Sequence, residues 1–365
     1  MRRLFGGLPA LFGIFLLVAC NRQPTNENSA RGQVFFPTET GSIAYLPADC
    51  FVEDDECPAP QAVGIYPEQG MLWSGLDWSH DGQQALTLDL DSYRANLLLL
   101  QAGIPVWKTA AVFGSIDGYQ WSPNGEWIAV TGVREDVEGA GTTEVRIEYS
   151  DIYLFEADGS EVGNLTEDLP DMKQYLSWLD EETILFQLGY SEECGIYTLN
   201  IQSRELSNLV ETSWCASWPA ASPDGTHIVF EDNEHLYIMD ANGTNKRLLT
   251  ELSCNGCFAQ WSPDGEWISF QVVTKDLDRE FYIIHPDGNG LQKIYERGLG
   301  TFVSFAPESI GDYLLVLNVH ERQGTPQERL LLSIPDGITT TIRVPGYDEG
   351  EAPRWMSWRP GTGEE

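Results

Sequence analysis

Trp261-Ser262-Pro263-Asp264-Gly265-Glu266-Trp267-Ile268-Ser269-Phe270 is the stretch from which the rest of the chain can be read. Ser262 to Gly265 fit positions i to i+3 of a type I turn, with proline presetting φ at the second position and glycine relieving the exit. After the turn, Ile268 and Phe270 alternate with Trp267 and Ser269, the period of a strand. A lone hairpin of this kind buries too little to be stable. Its weight comes from recurrence.

Trp121-Ser122-Pro123-Asn124-Gly125-Glu126-Trp127-Ile128-Ala129-Val130 is a second copy. Ala221-Ser222-Pro223-Asp224-Gly225 lacks only the leading tryptophan, and Trp78-Ser79-His80-Asp81-Gly82 exchanges proline for histidine. Weaker copies begin at Trp178, Phe305 and Trp358. The anchors at 78, 121, 178, 221, 261, 305 and 358 stand 43, 57, 43, 40, 44 and 53 residues apart. A period near 40–45 with loop insertions indicates a β-propeller with four strands per repeat. Buried tryptophans at the anchors are expected to act as packing wedges between sheets.

The second half of each repeat carries its own pattern, as in Ile152-Tyr153-Leu154-Phe155-Glu156-Ala157-Asp158-Gly159, Leu236 to Gly243 and Phe281 to Gly288. Together, the Trp-Ser-Pro-Asp-Gly and Ile-Tyr-x-x-Asp-x-x-Gly patterns resemble the TolB-like, WD-like propeller repeats, which also occur in the propeller domains of dipeptidyl and prolyl oligopeptidases. The resemblance covers roughly residues 33 to 360. It implies an all-β fold, a single propeller without the catalytic domain that those peptidases carry. One fold hosts many activities, so function must be argued from a site.

Residues 1–20 read as an address. Arg2 and Arg3 precede an apolar run from Leu4 to Val18, and Leu17-Val18-Ala19-Cys20 resembles a bacterial lipobox. The resemblance implies cleavage before Cys20 and lipid attachment at its sulfur, with several acyl chains making a stable anchor. Residues 21–33 are polar and read as a flexible tether, residues 34–360 as the propeller and 361–365 as a tail. Strand-like segments at Val34-Phe35-Phe36, Ser42 to Leu46 and Ala62 to Tyr66 have no anchor of their own, whereas Arg354 to Trp358 is an anchor strand with little after it. The economical arrangement is one shared blade, which would pair otherwise open edges. That gives seven blades, or six if the Phe305 or Trp178 copy is not a full sheet.

The formal net charge is −35. It excludes nucleic acid and an anionic bilayer surface as partners, leaving the N-terminal lipid as the membrane contact. Asp89-Leu90-Asp91 and Asp276-Leu277-Asp278 are only fragments of a Ca²⁺-loop pattern. Seven cysteines, less Cys20, leave six, which suggests disulfides in an exported protein. Cys50 and Cys57 flank a short acidic loop and are expected to close it. Cys194 and Cys215 lie on connections that emerge on the same propeller face, so they can meet; Cys254 and Cys257 form a Cys-x-x-Cys. Zinc held by Cys194, Cys215, Cys254 and Cys257 is the weaker alternative.

Catalytic patterns fail one by one. Gly189-Tyr190-Ser191-Glu192-Glu193 is the nearest approach to a nucleophile elbow and lacks the final glycine. There is no His-Glu-x-x-His, phosphate loop or dinucleotide fingerprint, so no catalytic residue, metal ligand or cofactor is assigned. The inner strands say more. One residue before each anchor stand Asp77, Gln120, Ser177, Ala220, Gln260, Ser304 and Ser357; three before stand Gly75, Gly118, Tyr175, Trp218, Phe258, Phe302 and Trp355. Polar Asp77, Gln120 and Gln260 with aromatic Tyr175, Trp218, Phe258, Phe302 and Trp355 would form a rim at one mouth of the central channel. The expectation is a monomeric, lipid-anchored module of the cell envelope that binds protein, peptide or carbohydrate. A propeller lyase or glycosidase is the rival.

Overall fold

A computed structural model describes residues 32–37, 42–47, 50, 59–65, 71–72, 76–90, 95–101, 107–134, 150–189, 194–211, 216–275, 279–296, 302–305, 313–319, 328–334, 339–341 and 357–359. In chain order, β1 (Gln33–Pro37), β2 (Ser42–Pro47) and β3 (Gln61–Ile65) come first. Next are β4 (Met71–Leu72), β5 (Asp77–Trp78), β6 (Gln84–Leu90), β7 (Ala95–Gln101), β8 (Trp107–Trp121), β9 (Trp127–Arg134), β10 (Asp151–Glu156) and β11 (Glu161–Asn164). A third group is β12 (Lys173–Trp178), β13 (Thr183–Leu188), β14 (Gly195–Asn200) and β15 (Leu206–Glu211), followed by β16 (Ser217–Ala221), β17 (His227–Asp232), β18 (His235–Asp240) and β19 (Arg247–Ser253). The last are β20 (Gln260–Trp261), β21 (Ile268–Val273), β22 (Arg279–Ile284), β23 (Gln292–Glu296), β24 (Phe302–Phe305), β25 (Tyr313–Val319), β26 (Glu328–Ser333), β27 (Thr339–Thr341) and β28 (Ser357–Arg359).

Strands pair antiparallel with their chain neighbours into four-stranded sheets β12–β15, β16–β19, β20–β23 and β24–β27. The weak copies at Trp178 and Phe305 are therefore full sheets. β1 pairs on one side with β2 and on the other with β28, with Val34 opposite Trp358, so one sheet holds both ends of the described chain. The remaining strands, β4 to β11, form one continuous sheet of eight. Two repeats are fused in it because β8, fifteen residues long, is the fourth strand of one and the first of the next. Register breaks between Phe113 and Ser115 and between Ile116 and Gly118 let it do so.

The repeated turn has one construction. In the Trp261 copy, Gly265 N–H donates to the Ser262 carbonyl (2.9 Å) with Gly265 at φ +73°, and Ser262 N–H donates to the Trp267 carbonyl (2.8 Å). Ser262 Oγ donates to Asp264 Oδ1 and accepts the Trp267 N–H, while Asp264 Oδ1 accepts the Glu266 N–H. Asn124 and Asp81 make the same bonds in their copies. The side-chain carbonyl and the serine are what the turn requires; proline is dispensable, as His80 shows.

Sheet faces pack against the next sheet. Phe35 and Ile43 meet Trp78 and Leu98; Leu97 and Leu99 meet Trp121 and Ile128; Ile152 and Leu154 meet Trp178 and Phe186; Leu185 and Ile196 meet Ile228 and Phe230; Ile238 and Leu249 meet Ile268 and Phe270. β9, β13, β17 and β21 are thus buried on both faces along most of their length, which is why β9 reads as a nearly unbroken apolar run. The innermost strands neighbour one another in the order β28, β5, β8, β12, β16, β20, β24. No helix among the described residues is long and apolar enough to cross a membrane.

Candidate functional site

The anchor tryptophans do more than fill space. Trp121 Nε1 donates to the Asp77 carbonyl (3.1 Å), Trp178 Nε1 to the Gln120 carbonyl (3.2 Å) and Trp261 Nε1 to the Ala220 carbonyl (3.1 Å). Every acceptor lies one residue before the previous anchor, so each indole clips its inner strand to the one before it. The fourth repeat has Ala221 there instead. Its turn closes against the preceding repeat, and a Cβ on Gly225 would stand 2.6 Å from the Leu179 carbonyl oxygen.

Three positions before the anchors, a different arrangement appears. Tyr175, Trp218 and Phe258 all hold positive φ, at +51°, +56° and +45°. Register shifts flank two of them, between Gln174 and Ser177 and between Ser217 and Ala220. Successive rings meet at a tilt from β12 through β16 to the segment before β20, Tyr175 to Trp218 at 3.8 Å between centroids and Trp218 to Phe258 at 3.9 Å. Tyr175 and Trp218 are half-buried, and Phe258 is 44% exposed. Among the described residues the other non-glycine positions with positive φ are Asp171, Arg204, Asn233, Glu234 and Asn245, all polar.

Bulky side chains pay heavily for this conformation, about 1–3 kcal/mol each. Stacking returns about 0.5–1.5 kcal/mol per ring pair beyond area burial, and there are two pairs for three strained residues. Nor does the ladder simply replace the clip missing at Ala221, because Phe258 extends it across an interface that Trp261 already clips. Ring pairing alone does not offset the strain.

The base under Phe258 is rigid. Cys254 and Cys257 are disulfide-bonded and buried. The Glu231 carboxylate, itself buried, accepts the N–H groups of Gly256 (3.0 Å) and Cys257 (2.9 Å). Burial pushes the Glu231 carboxyl up despite those two bonds. Gly256 lies under the Phe258 ring, where a Cβ would come within 3.1 Å of it. Cys194 is also disulfide-bonded, and its Sγ lies 3.7 Å from the carbonyl of Ala216. Cys215, its expected partner, lies outside the described residues and is adjacent to Ala216 in sequence. Cys57, the expected partner of Cys50, lies outside the described residues.

Of the polar rim residues, Gln120 and Gln260 are exposed and Ser177 is half-buried. Asp77 is half-buried, and desolvation raises its carboxyl to about 7. Its charge therefore burdens the fold increasingly as pH rises from the ordinary carboxylate range through about 7. The structure brings Tyr175, Trp218 and Phe258 together. Trp355 and Gly75 lie outside the described residues, as do the side chains of Phe302, Ser304 and Ser357. The indole clips and the support from Glu231 escaped sequence reasoning, since they link residues 25 to 58 positions apart. Among the described residues no group of three or more His, Cys, Asp or Glu side chains could hold a metal ion.

No family model matches the chain, and no curated protein matches it by sequence. Solved structures do. TolB from Acinetobacter baumannii is similar at 16% identity and TM-score 0.52, over 90% of this chain and 82% of that one. An oligogalacturonate lyase from Vibrio parahaemolyticus is similar at 12% identity and TM-score 0.55, over 86% of each chain. One of the prolyl endopeptidases is similar at 13% identity and TM-score 0.59, over 86% of this chain and half of that one. At such identities the likeness is one of fold. The fold is a TolB-like β-propeller.

Proposed function

We propose that this chain is a lipid-anchored propeller of the cell envelope that acts as a binding module, with the Tyr175–Trp218–Phe258 ladder and the neighbouring polar residues as its recognition surface. In this reading the seven four-stranded units close into a ring and Cys20 carries the lipid. The observation behind it is the strained ladder: Tyr175 in β12, Trp218 in β16 and Phe258 just before β20 hold positive φ, partly open to solvent, three residues before successive anchors. Strain of that kind concentrates at functional sites.

Trp218→Gly separates the two roles. Glycine takes positive φ without strain, so a recognition residue can be removed at a stability cost below about 1 kcal/mol, the lost packing being offset by relief. Removing a structural wedge would cost about 3–5 kcal/mol, and a fall of that size in thermal unfolding would end the recognition reading. The anchor has a separate check. Cys20→Ser should leave soluble protein or uncleaved precursor, and unchanged detergent partitioning would refute lipidation.

The lyase or glycosidase reading rests on Asp77, whose raised carboxyl would suit acid–base work near neutral pH. Turnover of an oligosaccharide, abolished in Asp77→Asn, would favour it.

A further inference from the structure

The ladder presents its edges. Trp218 lies between Tyr175 (3.8 Å, 31° between ring planes) and Phe258 (3.9 Å, 59°), so one ring leans over the indole and the other meets it at a steep tilt, which crowds a sugar ring out of stacking on it. Ring edges carry the positive end of the aromatic quadrupole. The anchor indoles of Trp121, Trp178 and Trp261 donate to backbone carbonyls, whereas the Trp218 indole N–H has no acceptor among the described residues. The primary amides of Gln120 and Gln260, both exposed, likewise make no side-chain hydrogen bond among the described residues. What the surface offers is a set of donors and positive ring edges spread over several sheets.

Such a surface complements a row of carbonyl oxygens. An extended polypeptide supplies one, above all in the polyproline II form, whose carbonyls have no internal partners. Exposed carboxylates are added by Glu167 and Asp171 in the connection entering β12, by Glu234 in the β17–β18 turn, and by Asp117 and Glu251 on β8 and β19. Against them stand exposed Lys275 and half-buried Arg279, the latter already bonded to Gln271. Resting on the binding-module reading, we infer that the ligand is an extended, proline-containing peptide segment flanked by lysine or arginine. Its backbone carbonyls are read by Trp218, Gln120 and Gln260, and its charges by the acidic surround. Anionic sugars and acidic peptides are excluded by the same field.

The test uses the chain from residue 21 onward on two arrays, one of proline-containing peptides with basic, neutral or acidic flanks and one of neutral and acidic oligosaccharides. Binding is expected to the basic-flanked peptides and to weaken as salt is raised. Trp218→Phe keeps a ring in the ladder and removes the N–H, so the affinity of the best peptide should fall about three- to tenfold while thermal unfolding stays unchanged. Peptide binding indifferent to Trp218→Phe, or strongest with acidic flanks, overturns the inference and leaves a binding module. So does selective capture of oligosaccharides. No binding on either array overturns both the inference and the reading beneath it.

Discussion

Trp178→Ala is expected to lower the unfolding free energy by about 3–5 kcal/mol, the range for emptying a buried aromatic site. The side chain is 6% exposed and packs among Ile152, Leu154, Ile184 and Phe186, contributed by two sheets. Removing it also orphans the Gln120 carbonyl, which accepts the indole N–H. Trp178→Phe keeps most of the apolar contact and loses the clip, so it should cost only about 1–2 kcal/mol. Chemical denaturation of the three proteins orders them, wild type above Phe above Ala. A Trp178→Ala loss under 1 kcal/mol would mean that the sheets are held together elsewhere. The Trp178 and Trp218 variants therefore make a pair: both residues are half of an inter-sheet contact, yet only one should matter much to stability.

That contrast also marks what the sequence discloses. Strand order followed from the repeated turn, because Ser, Asp or Asn, and Gly at fixed offsets each meet a local backbone need. The Trp178 repeat looked weak since its turn, Leu179-Asp180-Glu181-Glu182, lacks those residues; the sheet depends instead on the apolar run in β13, which is intact. Fusion of two repeats through β8 was hidden because a strand that ends one unit and begins the next leaves no turn residue to read. At the site, the spacing put Tyr175, Trp218 and Phe258 in register. It gave no hint of their positive φ, which their residue types argue against. Where local propensity and structure disagree in this way, the surrounding sheets rather than the residue types set the backbone.

Lys173→Met should cost about 3 kcal/mol, although nothing around Lys173 in the sequence suggests a buried charge. Its side chain is 2% exposed, with Nζ bonded to Asp151 Oδ1 (3.0 Å) and the Leu169 carbonyl (2.6 Å). Asp151 is also held by Thr166 Oγ1 and Asn164 Nδ2, both at 2.8 Å, and the Lys173 carbonyl accepts a bond from the buried Ser150 hydroxyl. The network ties β10 and β11 of one unit to the first residue of β12 in the next, at the end where the ladder begins. Removing only the cation leaves a partly buried carboxylate without its counter-charge, for which about 3–5 kcal/mol is typical. The Thr166 and Asn164 donors place the expected loss at the lower end. Pairing Lys173→Met with Asp151→Leu removes both charges, and the double variant should recover much of the loss. Equilibrium denaturation of the two single variants and the double variant gives the coupling directly. Additive losses in that cycle would show that the pair is not coupled, and the link between these sheets would then rest on Trp178 and its apolar neighbours alone.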